Sequence, residues 1–297
     1  MDCYNNCILV RKGQDAVAKA RSKWNGTVFH RRINEGRGLR TGKDYRPFIQ
    51  IHDFPSLGIC TRIKSETVGR VHHLFSRNEL AFFYILDFDD DVIDIREQYP
   101  LLDPEDPHDL SGIVEMMEGF GIKYPRDPRS QYPYVQTSDF VVTTKTGYHV
   151  YSIKESKAYD KERVRELQEL ERRYWKWRNV PWDIQTEQEI NYALASNIRW
   201  IYHARDIGGF FPDPALCADV MAYEKERFER TTWSIDRIAN EAEDYFRINS
   251  GLGLTSFQRL LFEKKLVIPL DKPLDLMAPR LYHGKEGGWH SCLETYQ

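Results

Sequence analysis

The sequence predicts a mixed α/β core followed by a mostly helical C-terminal domain that ends in a small β wing. Three observations carry this. Helix, strand, hairpin, helix and strand patterns succeed one another between Ser76 and Thr186, the signature of a mixed α/β layer. Past Thr186 the period becomes helical, with Ile190, Leu194, Ile198 and Ile201 on one face. The tail then places prolines at 269, 273 and 279 within short β-like pieces, and helices followed by such pieces suggest a winged-helix type. The expected domains are therefore residues 1–187 and 188–297.

Residues 13–24 read as a short helix, followed by a loop rich in Gly and Arg. Phe48 to His52 reads as a strand. Ser76-Arg77-Asn78-Glu79 fits an S-x-x-E capping box and opens a helix to Asp87. Asp91 to Gln98 alternates as a strand, and Leu101 to Arg129 has no clear period and reads as an irregular insertion. Thr137 to Val142 and Tyr148 to Lys154 are the two arms of a hairpin turning over Thr144 to Gly147. Lys157 to Arg178 is a charged helix and Pro181 to Thr186 a last strand. Further helices are expected around Pro214–Glu229, Ser234–Asn249 and Thr255–Phe262.

The chain has 297 residues and 41% hydrophobic content, enough apolar material for two cores. Its longest apolar run, Leu80 to Leu86, is too short to span a bilayer, and Met1 to Arg11 lacks the apolar stretch of a signal peptide. No membrane and a cytoplasmic location are expected. Cys3, Cys7, Cys60, Cys217 and Cys292 are scattered, with no CxxC pair, so reduced thiols are expected rather than a zinc site. The net charge of −3 does not advertise a DNA binder, but its distribution is uneven. Residues 31–46 hold Arg31, Arg32, Arg37, Arg40, Lys43 and Arg46 against only Glu35 and Asp44. Arg37, Arg40, Lys43 and, further on, Arg70 are the candidate phosphate contacts. Residues 188–297 are net acidic, which suits a protein-binding module better.

Glu79, Asp139 and Lys154 form the constellation with chemistry in it. Phosphodiester hydrolysis needs charge neutralisation and an activated water; carboxylates holding magnesium supply both, and a nearby lysine steadies developing charge. If Thr143 pairs with Tyr148, then Asp139 faces Ser152, and Lys154 is its diagonal neighbour about 7–8 Å away between backbones. Each residue also has a bland reading: Glu79 as a capping-box acid, Asp139 as a turn cap, Lys154 as a solvated strand end. Glu171 lies on the apolar seam of its helix with Leu167 and Tyr174, pointing toward Lys154 or a metal-bound water, or else is an Arg-paired edge residue. His72 and His73 read as loop polar residues rather than ligands.

These pieces resemble a known family. Arg37-Gly38, Gly42-Lys43-Asp44-Tyr45 with Pro47, Gly69-Arg70-Val71-His72-His73 and Ser76 to Leu80 look like its N-terminal half. So do Asp94-Ile95-Arg96-Glu97-Gln98 with Pro100-Leu101-Leu102, Ser138-Asp139-Phe140, Leu170-Glu171-Arg172-Arg173-Tyr174-Trp175, Pro181-Trp182 and Glu189-Ile190-Asn191. In this order, over about residues 30 to 200, they resemble the TnsA endonuclease subunits of Tn-seven-like transposases. The resemblance implies a restriction-endonuclease-like PD-(D/E)xK core with catalytic Glu79, Asp139 and Lys154. It implies Mg2+, one or two ions with Mn2+ tolerated, held by Glu79, Asp139 and the Ile153 carbonyl. It implies cleavage of the 5′ strand at double-stranded transposon ends, alongside a TnsB-like transposase and a TnsC-like ATPase regulator that the C-terminal domain docks on. One position departs: where the family carries Gln or Glu two residues before the lysine, this chain has Ser152, a shorter and weaker ligand. A free-standing restriction or repair nuclease, and an adaptor that has lost catalysis, are the competing readings.

Overall fold

A computed structural model describes residues 24–53, 60–209, 211 and 213–279. The expected helix over 13–24 lies outside them, Trp24 excepted. By packing, the described chain falls into two units. The first joins residues 24–35 to Leu102–Val135. Its helix α1 (Gly26–Asn34) is started by Asn25, whose side chain accepts from Val28 N. Here the expected irregular insertion holds a second helix, α3 (Ser111–Glu118). Ile113, Val114 and Met117 of α3 are buried, as are Leu110 and Tyr124, so this stretch has a core of its own.

The second unit comprises Gly36–Leu101 and the chain from Gln136 onward. It opens with a loop rather than the strand expected at Phe48 to His52. Phe48 N bonds Gln98 O, and Ile51–Asp53 curls into a short 3-10 turn whose Asp53 accepts from Gln50 N. Gly38 is required here: its φ is +78°, and a Cβ would sit 2.3 Å from Pro100 Cγ. Strands β1 (Thr61–Lys64) and β2 (Val71–Leu74) pair antiparallel, so His72 and His73 lie in a strand, not a loop. Helix α2 (Arg77–Phe88) starts where the capping box places it, Ser76 Oγ accepting from Glu79 N at 3.0 Å.

The main sheet runs in the order β3 (Val92–Pro100), β4 (Thr137–Thr144), β5 (Gly147–Ile153), β6 (Trp182–Gln185). β4 is antiparallel to both neighbours, and β6 returns parallel to β5 after helix α4 (Glu162–Trp177). A parallel return needs such a crossover. The hairpin register is the expected one: Thr143 pairs with Tyr148 and Phe140 with Tyr151. Helix α4 begins later than Lys157, because Ser156 is pinned by its backbone and hydroxyl to Glu187 and the chain takes a short 3-10 turn first.

Among the described residues four helices follow: α5 (Tyr192–Ile201), α6 (Pro214–Arg230), α7 (Ile235–Phe246) and α8 (Leu252–Phe262). Helix α8 starts before the expected Thr255, since Gly251 takes φ +90° at the cap. Gly253 lies inside it, where a Cβ would come within 2.3 Å of Ala239 O, so α7 and α8 touch backbone to backbone. Among the described residues no β wing is seen: no strand occurs between residue 263 and residue 279, and residues 280–297 lie outside them. Proline denies a ladder its donors, and the segment instead buries Leu266, Ile268 and Leu270 while Asn197 bonds the carbonyls of Leu270 and Lys272. The expected boundary at 187/188 coincides with the turn between β6 and α5. The apolar core nevertheless continues across it, from Phe82, Phe83 and Val142 to Ile198, Ile201 and Phe257. Each such fully buried side chain contributes about 1.5–3 kcal/mol. No helix among the described residues is long and apolar enough to cross a membrane.

Candidate active site

The site is built where the hairpin arms of β4 and β5 meet the start of α2 and the inner face of α4. One step beyond the Phe140–Tyr151 pair, the register sets Asp139 opposite Ser152. Asp139 is the hub. Its Oδ2 accepts from Lys154 Nζ at 2.7 Å and from Ile153 N at 2.7 Å, with Ser152 Oγ at 3.4 Å. Its Oδ1 faces the side-chain amide of Gln98 at 3.4 Å. Glu79, on the first turn of α2, is buried and accepts from Phe75 N at 3.0 Å. It therefore serves both its cap and the site. Burial, and then the charge of Asp139, push its carboxyl up to about 7.

Glu171 reaches in from α4, fully among other atoms, and Ser152 Oγ donates to its Oε2 at 3.2 Å. Burial raises Glu171 to about 7 against the pull of Lys154, and Asp139 adds to the rise. Burial works against the Lys154 ammonium, but Asp139, Glu171 and Glu79 together outweigh it and hold its pKa above the ordinary lysine value. Lys154 is thus charged and shared among three acids. All five expected site residues, Glu79, Asp139, Ser152, Lys154 and Glu171, come together. Ser152 is a completely buried bridge between Asp139 and Glu171.

The basic residues part company. Arg70 is buried, its guanidinium bidentate on Glu97 (2.9 and 2.5 Å) and bonded to Ile95 O. His72 Nδ1 lies 2.8 Å from the same carboxylate, which accepts also from His73 N. Burial works to raise Glu97, but His72 and Arg70 overcome it and hold it well below the usual carboxylate range. Arg37 is likewise buried, 2.7 Å from Asp53. Both are corrected from phosphate contacts to internal ion pairs, a distinction that loop composition does not encode. Arg40 and Lys43 remain exposed. Replacing both by Ala should flatten the dependence of log K for DNA on log salt by about two, since each phosphate contact contributes about 0.9. Arg70→Ala should leave that slope alone and instead cost about 3–5 kcal/mol of stability, because Glu97 is left buried and underpaired. Salt titration of DNA binding and chemical denaturation read the two effects. An unchanged slope in the Arg40/Lys43 variant would make the loop a merely solvated surface.

Gln98 is the residue that sequence reasoning missed. It is buried within β3 with φ +49°, a left-handed backbone that non-glycine residues rarely adopt in a strand. Thr137 donates to its Oε1 at 3.1 Å. Nothing in its local sequence signals this.

Comparison with known proteins identifies the family. Residues 89–187 match the family model for the TnsA-like endonuclease N terminal, and residues 189–270 match that for the TnsA endonuclease C terminal. The transposon Tn7 transposition protein TnsA of Escherichia coli is 41% identical over 192 residues, spanning 64% of this chain and 67% of that protein. The chain belongs to the TnsA family. Asp139, Ser152, Lys154 and Glu171 fall inside the first matched stretch, and Glu79 lies just ahead of it. The two models abut at the junction of β6 and α5, where the family's two parts meet.

Proposed function

We propose that this protein is a Mg2+-dependent DNA endonuclease of a cut-and-paste transposition machine, with a restriction-endonuclease-like PD-(D/E)xK core. In this reading it cleaves the non-transferred 5′ strand at the transposon ends, together with a TnsB-like transposase and a TnsC-like ATPase regulator. The observation that carries it is the convergence of Lys154 and Glu79 on the Asp139 carboxylate, on a strand pair beside a helix start.

The donor chemistry fits magnesium. The mutual repulsion of Glu79 and Asp139 marks a surplus of negative charge that a cation relieves. Among the described residues no group of three or more His, Cys, Asp or Glu is spaced for a metal. Magnesium does not need one, since it binds through one or two carboxylates with waters and substrate phosphate oxygens. Glu79, Asp139 and the Ile153 carbonyl would hold it, and Mn2+ would serve as well. When bound, the ion supplies Lewis-acid charge neutralisation and lowers the pKa of a coordinated water. Lys154, fixed by Asp139 and the Ile153 carbonyl at 3.1 Å, orients toward the scissile phosphate and offsets its developing charge. Glu171, through Ser152, keeps Asp139 and Lys154 in place.

Helices α5–α8 are the docking part. The segment 188–297 is net acidic, which disfavours DNA and suits a basic protein partner. Of the expected phosphate contacts, Arg40 and Lys43 alone are exposed, so the nuclease part's own grip should be weak and salt-sensitive. Docking supplies effective concentration and orientation. In a plasmid-nicking assay with Mg2+, the protein alone should cut at least about tenfold less than with TnsB- and TnsC-like partners and transposon ends. Cutting should be confined to the 5′ ends and lost in Lys154→Ala. Efficient cutting of arbitrary DNA by the protein alone would instead make it a free-standing nuclease.

A further inference from the structure

We infer that Gln98 is a positioning residue, held in a strained backbone so that its side-chain amide fixes the free oxygen of Asp139. The inference rests on the site reading above and goes beyond it in assigning a role to a residue outside the acid–acid–lysine set.

Four observations converge. First, Gln98 lies inside β3, between Glu97, paired with Phe140, and Tyr99, paired with Ser138. It therefore sits across from Asp139 on the neighbouring strand. Second, its φ of +49° is left-handed. In a strand, a long unbranched side chain gains nothing locally from that conformation, and glycine would adopt it without strain. Strain of this kind persists only where the surroundings over-determine it, and it gathers at functional sites. Third, the side chain is spoken for at both ends. Thr137 Oγ1 donates to Oε1, which leaves Nε2 oriented toward Asp139 Oδ1. The Gln98 carbonyl takes Phe48 N, which anchors the twisted backbone from the loop side. Fourth, Oδ2 of Asp139 is already committed to Lys154 and Ile153 N. Among the described residues it is Gln98 that contacts Oδ1, and so sets the rotation of the carboxylate.

The amide does what a water cannot. It is a donor whose other end is tethered, so it defines one carboxylate orientation rather than several. A carboxylate that must hold a cation in a set geometry gains most from this, as ligands oriented by an outer hydrogen bond generally do.

Two substitutions test it. Gln98→Gly removes the amide and relieves the backbone, so it should raise the thermal midpoint by a few degrees while slowing strand cleavage about tenfold or more. Gln98→Glu keeps the shape but turns a donor into an acceptor beside Asp139. It should cut cleavage by about 100-fold and shift the Mn2+ concentration for half-maximal binding, measured calorimetrically with uncleaved DNA, by about tenfold. Lys154→Ala is run beside them. If Lys154→Ala is inert while both Gln98 variants cleave and bind Mn2+ like the parent, Gln98 has no positioning role and this inference falls alone. If Gln98→Gly lowers stability and activity together, the residue is a packing element and the inference is again overturned. If Lys154→Ala itself cleaves normally, the site reading fails first.

Discussion

Asp139→Ala should abolish strand cleavage, lowering the rate by at least about three orders of magnitude with the fold retained. Asp139 touches more of the site than any other residue: Lys154, Ile153 N, Ser152 and Gln98 all turn to it. Losing it removes a metal ligand, frees Lys154 from its fixed position and leaves Ile153 N without its acceptor. Lewis-acid stabilisation is worth several kcal/mol, and each 1.4 kcal/mol is tenfold in rate, so a loss of about a thousandfold follows from the ligand alone. Asp139→Asn separates chemistry from folding, since it preserves size and an acceptor for Ile153 N. Both variants are to be assayed for 5′-end nicking with partners and Mg2+, with thermal melts in parallel. Folded variants that nick at the parental rate would remove Asp139 from the chemistry. A parent protein equally silent under these conditions would point to an adaptor that has lost catalysis.

Much of this site was legible before the fold. The register of the hairpin followed from its turn length, and with it the facing of Asp139, Ser152 and Lys154, because side chains alternate with a period of two. The capping box placed Glu79 on the first turn of its helix and the apolar seam placed Glu171 on the inner face of its own, but neither pattern by itself separates a site acid from a structural one. What sequence could not give were the residues whose roles depend on distant partners. Arg37 and Arg70 sit in a basic stretch and look like phosphate ligands, but Asp53 and Glu97 claim them. The β1–β2 pair was missed because four-residue strands carry little periodic signal. The wing was expected from short β-like pieces between prolines, yet the same pieces serve an extended segment that buries Leu266, Ile268 and Leu270. Gln98 escaped because positive φ is imposed by tertiary contacts rather than by residue type.

Glu224→Gln should stabilise the protein increasingly as pH rises. Glu224 is on α6, fully buried, with Ser256 donating to its Oε2 at 2.7 Å. Burial, and to a smaller extent Glu243, push its carboxyl up to about 9, while the Ser256 bond pulls the other way. In the folded protein it is therefore a neutral acid at neutral pH, whereas in the unfolded chain it titrates near the ordinary glutamate value of 4.5. The sign follows from proton uptake. Above the unfolded pKa the unfolded state has released a proton that the folded state retains, so unfolding becomes easier with each pH unit up to the folded pKa. The loss is at most about 1.4 kcal/mol per unit, or on the order of 2–4 kcal/mol between about pH 5 and pH 8. Glutamine keeps the shape and an acceptor for Ser256 but has no proton to lose. Urea unfolding of both proteins across that range should show a gap that widens with pH, with the variant more stable throughout the upper half. A constant gap, or a variant less stable at about pH 8, would mean that Glu224 is ionised in the native protein and paired by a group the contacts above do not include.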